Sequence, residues 1–600
     1  MLNNDKELDR SRIAVHISWE SVIKLGGIGT VLENLLASTD YQDFFDRTIL
    51  ISPFFPDSFR LNIDATTVFT EEDKVLYNAQ NKKNTYSYSK QLQSIETVYG
   101  VSILYGKHYF SKEANNNEIE VLLIDLNHLW DYIREKDTQR WRTFIEKLGN
   151  GFGIDEELKP YLNGYTDYDF EYGMLFAGPA FEVLSILLAN TKNQCFLIAH
   201  NILGLPFLYK TILEKNKNFH TIFYASECSS ARFCIEAKNG SDSKFYNLLK
   251  RYDPRRKCLE DIFKDIPVRG KYQLLKEAYR CEKVIAVGDN ILNELRFLGK
   301  SFSNKLIDLC YHGIPYHPIT LLEKVKCRKL FQDYSERIIG YRPDVIMTHI
   351  ARPIRCKALW RDINVCHFLD PLLSKQGMRG VLYLICSTHG LRLPHDIQRM
   401  ERDYGWPRHH RQGYPDLQGN ESSLNQMVNK FNIQHENLQI VLINSFDWPA
   451  GSTLASTGVT RLDIRKATDV EFGQSMYEAF GISQLEPLCF GAICVVSRVS
   501  GAANAIKRIT QGQYISNILV ADYLKPAENF STEELLTLDD VRQKAIEIQV
   551  ASQIAEELQQ RIPKTDLDRL TLIESGQQLS QKMSWDYTIK DQLLPVLRQM

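Results

Sequence analysis

The chain of 600 residues carries little net charge: 72 Lys and Arg stand against 74 Asp and Glu, a balance of −2. That near-balance removes the electrostatic case for nucleic acid or an anionic membrane as main partner. The first twelve residues are polar and lack an apolar stretch, so no signal peptide is expected, and no run of about 18 apolar residues suggests a membrane span. A cytoplasmic location is the corresponding expectation. Cysteine is absent before Cys195, and the twelve that occur from there on form no C-x2-C pair. Several lie in apolar stretches, as Cys386, Cys489 and Cys494 do, which reads as buried free thiols in a reducing compartment. His409 and His410 are adjacent rather than one turn apart, and no H-E-x-x-H occurs, so no metal site is expected. Gly299-Lys300-Ser301 is not a P-loop: Glu294 stands where the first glycine is needed, and the stretch follows a helical pattern.

What is present is alternation. Short β-branched runs at 12–18, 47–51, 121–125, 195–199, 283–287, 306–313, 344–350, 380–386, 438–444 and 492–496 read as strands, and amphipathic stretches between them as helices. Six hundred residues exceed one core and suit two large α/β domains. The Asn- and Tyr-rich stretch 66–109 reads as a peripheral insertion, and 321–341 as the hinge. Glu533 to Arg561 has the pattern of one long polar helix, and 402–416 reads as a packed basic and aromatic excursion.

Four places combine residues that bind anions or sugars. After the first strand comes Lys24-Leu-Gly26-Gly27-Ile-Gly29, opening a helix; glycines there allow close backbone approach to a ligand. Its spacing differs from the dinucleotide G-x-G-x-x-G. A later strand ends in His200-Asn201. Arg352 and Lys357 follow the strand at 344–350, with Arg355 as a third candidate cation; strand carboxyl ends are where open α/β sheets bind ligands. Last, Glu478-Ala-Phe-Gly481-Ile482-Ser483-Gln-Leu-Glu486 runs from a loop into a helix start, whose free N–H groups suit a phosphate. Two acids so placed can contact different parts of one long ligand, such as a nucleotide-sugar; alone they are also ordinary helix-start carboxylates.

The Glu478–Glu486 segment resembles the E-x7-E motif of retaining nucleotide-sugar glycosyltransferases of the GT-B fold, the group of glycogen and starch synthases. Asp469-Val-Glu-Phe-Gly-Gln-Ser-Met-Tyr-Glu478 is similar to a bacterial glycogen-synthase-like subfamily, and the likeness runs from about Ile13 to the end. It implies two doubly wound, Rossmann-like domains facing a cleft: 1–330 on the acceptor side, 331–582 on the donor side, and a helix at 583–600 crossing back. It implies transfer of a hexosyl, in this group a glucosyl, unit from ADP-glucose or UDP-glucose to a glucan or other saccharide, without cofactor or metal; oligomeric state is left open. By position, Arg352 and Lys357 would hold the diphosphate. Glu478 would face the sugar and Glu486 the ribose. Lys24, Gly26 and Gly27 would close over the donor with Gly481, Ile482 and Ser483 beneath it, and His200 and Asn201 would lie near acceptor and sugar. One departure stands out. In Phe223-Tyr-Ala-Ser226-Glu227, with Arg232 following, Ser226 replaces the subfamily's active-site histidine. A serine has no ionisable ring, so an impaired or inactive relative that only binds glucan or nucleotide-sugar is the alternative expectation.

Overall fold

The computed structural model describes residues 11–20, 27–54, 69, 74–79, 83–84, 86–109, 118–126, 129, 138–162, 168–189, 193–264, 270–388, 392–446 and 448–600. Two separate sheets organise them. The first holds β1 (Arg12–Ile17), β2 (Arg47–Phe54), β3 (Lys74–Asn78), β4 (Lys83–Asn84), β5 (Ser102–His108), β6 (Ile119–Asp125), β7 (Gln194–His200), β8 (Phe219–Ala225), β9 (Lys283–Ala286) and β10 (Asp308–Leu309). The second holds β11 (Val345–Ile350), β12 (Gly380–Ile385), β13 (Leu438–Ile443), β14 (Val470–Gly473), β15 (Ile493–Ser497) and β16 (Ile518–Ala521).

The second sheet is wholly parallel in the order β13-β12-β11-β14-β15-β16. Numbered from its first strand this is 3-2-1-4-5-6, the Rossmann order, with its switch point between β11 and β14. The first sheet repeats that order in β6-β2-β1-β7-β8-β9, adds β10, and places its switch point between β1 and β7. The strands are apolar along nearly their whole length, as Val345–Ile350 and Ile493–Ser497 show, because helices cover both faces. Both domains are therefore doubly wound, as the alternation predicts.

The stretch read as a peripheral insertion contributes β3, β4 and β5, which extend the first sheet in antiparallel pairing at its edge, beyond β6 and outside the Rossmann order. Other expectations need correction. The stretch read as a hinge is a helix, Leu321–Ile339, started by a Thr320–Glu323 capping box. The Lys324 ammonium on it donates to the carbonyls of Thr468 and Phe490, each at 2.8 Å, anchoring the helix to the second domain. The polar pattern at 533–561 forms two helices, Thr532–Leu536 and Asp540–Arg561, because the Asp539 carboxylate caps the second by accepting the Arg542 N–H at 2.8 Å. Of 306–313, only Asp308–Leu309 pairs as strand. Among the described residues one helical stretch, Phe170–Leu187, is long and apolar enough to cross a membrane, but 67% of it is buried inside the domain, as befits a core helix. The excursion at 402–416 is packed: Trp406 is buried and donates its indole N–H to Asn444, and His410 bonds Asp416. All twelve cysteines are free, and every one except the half-buried Cys258 is buried.

The carboxyl ends of the two sheets face each other, because the segments leaving their strands touch. The turn after β8 meets the loop after β14, where the Cys228 N–H donates to the Tyr477 hydroxyl at 2.7 Å. The loop after β11 meets the helix after β8, where the Cys356 N–H donates to Glu236 at 3.1 Å. Gly288 after β9 and Gly501 after β15 nearly touch: a Cβ on either would stand 2.5 or 2.4 Å from the Ala479 carbonyl oxygen. Only glycine permits that approach. The C-terminal stretch from Trp585 to Leu597 returns to the first domain. There Ile314 bridges Ser584, and the Tyr311 N–H donates to the Gln592 side chain at 2.9 Å.

Behind this junction lies Arg361, fully buried. Its guanidinium makes two bonds of 2.9 Å to Asp242 of the first domain and bonds of 2.8 and 2.7 Å to Glu547 on helix Asp540–Arg561. It also donates to the Gln474 carbonyl at 3.0 Å and covers the Tyr523 ring. Removing one partner of such a cluster strands buried charge, which costs roughly 3–5 kcal/mol. Arg361→Ala is accordingly expected to lower stability by that amount in urea titration, while alanine at the exposed Arg256 changes it by under about 0.5 kcal/mol.

Candidate functional site

The second domain supplies its half of the site at its switch point. The loop after β11 carries Arg352, Arg355 and Lys357; the loop after β14 carries Gln474, Ser475, Tyr477 and Glu478. They are tied by the bond from the Met476 N–H to the Cys356 carbonyl, 2.7 Å long. The structure thus brings together two of the predicted residues 121 positions apart: the Lys357 ammonium sits 2.5 Å from Glu478 Oε2. Ser475 Oγ and Gln484 Nε2 donate to the same oxygen at 3.1 and 3.0 Å. Arg352 is exposed, and its guanidinium pairs with no carboxylate among the described residues. Arg355 points to the first domain, bonding the carbonyls of Lys238 and Gly240 at 3.4 Å.

Gly481 sits at φ 103°, which an L side chain resists, and a Cβ there would stand 2.9 Å from Gln484 Oε1 and 3.1 Å from Glu478 Cγ. The glycine thus lets the chain turn sharply under Glu478 and leaves room for Gln484. The helix it opens is a single turn, Ile482–Leu485, continued as a 3₁₀ helix through Glu486–Phe490. This is shorter than the helix expected from the sequence, so the N–H groups of Ile482 and Ser483 matter more than any macrodipole. Glu486 is already engaged: Arg465 Nε and Nη2 donate to its Oε2 at 3.0 and 2.7 Å, and Nη2 also reaches the Ser483 carbonyl at 2.6 Å. Gln484 and Arg465, which fix the orientation of the two acids, were not singled out from sequence. Gln484 lies inside the motif but at a position any polar residue could fill.

The first domain supplies the opposite half. Lys24 and Gly26 lie outside the described residues. Gly27 begins helix Gly27–Ala37, whose Gly29 N–H donates to the Glu20 carboxylate at 2.8 Å. β1 and β7 pair through Ile17 and Ala199, so Ser18 and His200 leave the sheet side by side. His200 is fully buried, with its Nε2 2.9 Å from His16 Nδ1; His16 Nε2 in turn lies 2.6 Å from the Tyr41 hydroxyl. Asn201 follows at φ 65°, ψ −173°, a strained conformation for a residue other than glycine. Ser226 ends β8 in a tight turn, its N–H bonded to the Tyr224 carbonyl at 3.0 Å.

Among the described residues of the first domain, the buried side-chain atoms without a hydrogen-bond partner include His200 Nδ1, Asn201 Oδ1, Ser226 Oγ and His312 Nε2, along with Ser229 Oγ and Ser230 Oγ just beyond Ser226 and Ser38 Oγ and Tyr272 Oη. A buried polar atom left unpaired costs about 1–3 kcal/mol, so a polar ligand or an ordered water reaching the strand ends at His200, Asn201 and Ser226 relieves that cost. His312 was not among the expected residues. It stacks on Tyr224 at 5.8 Å and also meets Phe480 of the second domain and Trp585 of the returning C-terminal stretch. Burial pushes His200 and His312 down to about 3, and His16 well below the usual range, with His200 adding to the effect on His16. These imidazoles are neutral near pH 7.

Each such histidine has a lower pKa folded than the ordinary value near 6.5. Their stabilising contribution is therefore complete above pH 6.5 and is lost as pH falls toward 3. Stability should drop by up to about 1.4 kcal/mol per pH unit per imidazole in that window. Denaturant midpoints across pH 4–8 should show a smaller slope for His312→Gln than for wild type; equal slopes would count against neutral burial.

No protein-family model matches the chain, and no curated protein matches it in sequence. Solved structures align along nearly all of it. An Escherichia coli trehalose-6-phosphate structure bound with UDP-2-fluoro glucose aligns at 13% identity over 98% of this chain and 99% of that one, TM-score 0.48. Sucrose-phosphate synthase from Thermosynechococcus elongatus aligns at 12% over 98% and 99%, TM-score 0.48. The catalytic domain of starch synthase IV from Arabidopsis thaliana, bound to ADP and acarbose, aligns at 14% over 92% and 99%, TM-score 0.47. Likenesses this low assign no activity to this chain.

Proposed function

We propose that the chain is a retaining glycosyltransferase that moves a hexosyl unit from a nucleotide-sugar to a saccharide hydroxyl. Within that class, a glucosyl donor and a glucan acceptor, as in glycogen and starch synthases, are the finer reading. The observation that carries it is the meeting of Lys357 and Glu478 at a Rossmann switch point, together with the unpartnered polar atoms of His200, Asn201 and Ser226 at the strand ends of the first domain. A cation and a carboxylate held together suit a donor with an anionic diphosphate beside a sugar that gains positive charge at C1.

In this reading the bond from C1 to the diphosphate oxygen breaks, a bond from C1 to the acceptor oxygen forms, and the hydroxyl proton is released. Arg352 and Lys357 hold the diphosphate and neutralise charge as it leaves. Lys357 is already positioned by Glu478, so the incoming diphosphate shares a cation whose place is set. The N–H groups of Gly481, Ile482 and Ser483 add donors below it. Glu478 takes the sugar hydroxyls and Glu486, fixed by Arg465, the ribose. Lys24, Gly26 and Gly27 complete the donor side, and His200, Asn201 and Ser226 face the acceptor and sugar as neutral hydrogen-bonding groups. No step in this scheme calls for a metal or cofactor, and the setting proposed is cytoplasmic.

A second reading, binding without turnover, is favoured by one observation: the subfamily's histidine position holds Ser226, whose hydroxyl has no partner. Assays with ADP-glucose or UDP-glucose and a saccharide acceptor separate the two. Wild type is expected to transfer sugar, and Lys357→Ala to lose roughly 100- to 1000-fold in kcat/KM. Donor bound by both proteins and consumed by neither would establish the binding-only reading. Ser226→His is expected to change rate or donor choice; identical kinetics would show that position 226 has no part in the chemistry.

A further inference from the structure

The loop bearing Glu478 and the turn bearing Ser226 belong to different domains, yet one fully buried contact joins them. Tyr477 immediately precedes Glu478, and its hydroxyl accepts the N–H of Cys228, two residues beyond Ser226, at 2.7 Å. The same hydroxyl lies 3.2 Å from the Cys228 carbonyl and 3.2 Å from Glu294 Oε2. Glu294 is fully buried on helix Asp289–Arg296 of the first domain, and its Oε1 accepts the Tyr246 hydroxyl at 2.8 Å. A carboxyl group with no exposure is expensive to bury, and nothing proposed for the reaction uses Glu294. Its bonds to the two tyrosines give it a place in the architecture of the site instead.

We propose that Glu294 and Tyr477 are positioning residues, a carboxyl–phenol clamp that sets the Glu478 loop against the Ser226 turn and so fixes the donor-side acid relative to the acceptor side. The inference rests on the glycosyltransferase reading. Tyr477 spans the domain boundary, and Glu294 holds its hydroxyl in the orientation that receives the Cys228 N–H. The second bond from Tyr246 keeps Glu294 from rotating away. Burial pushes the Glu294 carboxyl up to about 8, against the bonds from Tyr246 and Tyr477, with Glu227 adding to the rise. Burial thus favours the neutral, hydrogen-bonded carboxyl, which an amide can imitate.

The test uses the full chain at pH 7 and four proteins: wild type, Tyr477→Phe, Glu294→Leu and Glu294→Gln, with melting curves confirming that each is folded. Transfer kinetics are measured with ADP-glucose and UDP-glucose, nucleotide binding by calorimetry with ADP and UDP, and amide exchange over residues 226–229. Tyr477→Phe should speed exchange at Cys228 and lower kcat about tenfold, since a small misplacement of reacting groups is costly. Donor KM and nucleotide affinity should stay within about twofold, because the diphosphate contacts are intact. Glu294→Leu should follow Tyr477→Phe, and Glu294→Gln should keep most of the wild-type kcat. Unchanged kcat in both Tyr477→Phe and Glu294→Leu overturns the proposal, whether or not exchange changes. Faster exchange in a protein whose wild type transfers no sugar would sink the glycosyltransferase reading while leaving the tie between the loops standing.

Discussion

The two domains share a site because Arg361 holds them in one pose. Its guanidinium is out of contact with water and lies between carboxylates from different parts of the chain, Asp242 in the first domain and Glu547 in the second. Burial works against the guanidinium's charge, but Asp242 and Glu547 outweigh it and hold the group charged. Burial likewise pushes Asp242 up, against the pull of Arg361. Such a cluster has few acceptable geometries, since each charge is buried and must be matched by partners within hydrogen-bond distance while it stays out of water. The Gln474 carbonyl is among the atoms Arg361 binds, and Gln474 begins the loop that ends in Glu478. The lock between the domains and the site are thus connected through one short segment.

Within the site the same economy governs both acids. Among the described residues, every side-chain bond to Glu478 and to Glu486 falls on Oε2: from Lys357, Ser475 and Gln484 in one case, from Arg465 in the other. A carboxylate held by one oxygen is fixed in direction without being fully enclosed. That is how a binding group is kept rigid by its support while staying available. Gly481 is part of this support, because its left-handed turn and missing Cβ make the space that Gln484 occupies.

The sequence made the fold legible where physics is local. Runs such as Val345–Ile350 and Leu438–Ile443 are apolar enough to be strands on sight, and the end of the first of them is where the Rossmann order places the switch point of the second sheet. It was illegible where local pattern and tertiary context disagree. Leu321–Ile339 carries charges around much of its circumference, and it becomes a helix of the second domain through buried Lys324 and Arg328, which bond the carbonyl of Thr468 and the carboxylate of Asp469. The edge formed by β3 to β5 joins the first sheet only by antiparallel pairing with β6, a register that no local pattern announces. Arg361, Tyr477, Glu294 and His312 were invisible for another reason. Their partners lie far off in the chain, 119 residues away for Arg361 and Asp242 and 183 for Tyr477 and Glu294. No spacing rule reaches that far.

The serine at 226 looks different once its neighbours are known. The residue two before it, Tyr224, is flanked by imidazoles: His200 at 5.3 Å between ring centres on one strand and His312 at 5.8 Å beyond another. The strand ends therefore retain imidazole groups although position 226 carries none. Both rings are held neutral by burial, near 3, so neither serves as an acid or base near pH 7. What they offer a ligand is a neutral nitrogen with an unfilled hydrogen bond, the same kind of group as the Ser226 hydroxyl and the Asn201 amide oxygen. The strand ends of the first domain are thus uncharged at these unpartnered atoms, and the charge lies in the second domain in Arg352, Lys357 and Glu478. A hydroxyl at position 226 therefore acts through the reach and direction of one hydrogen bond and not as a proton carrier.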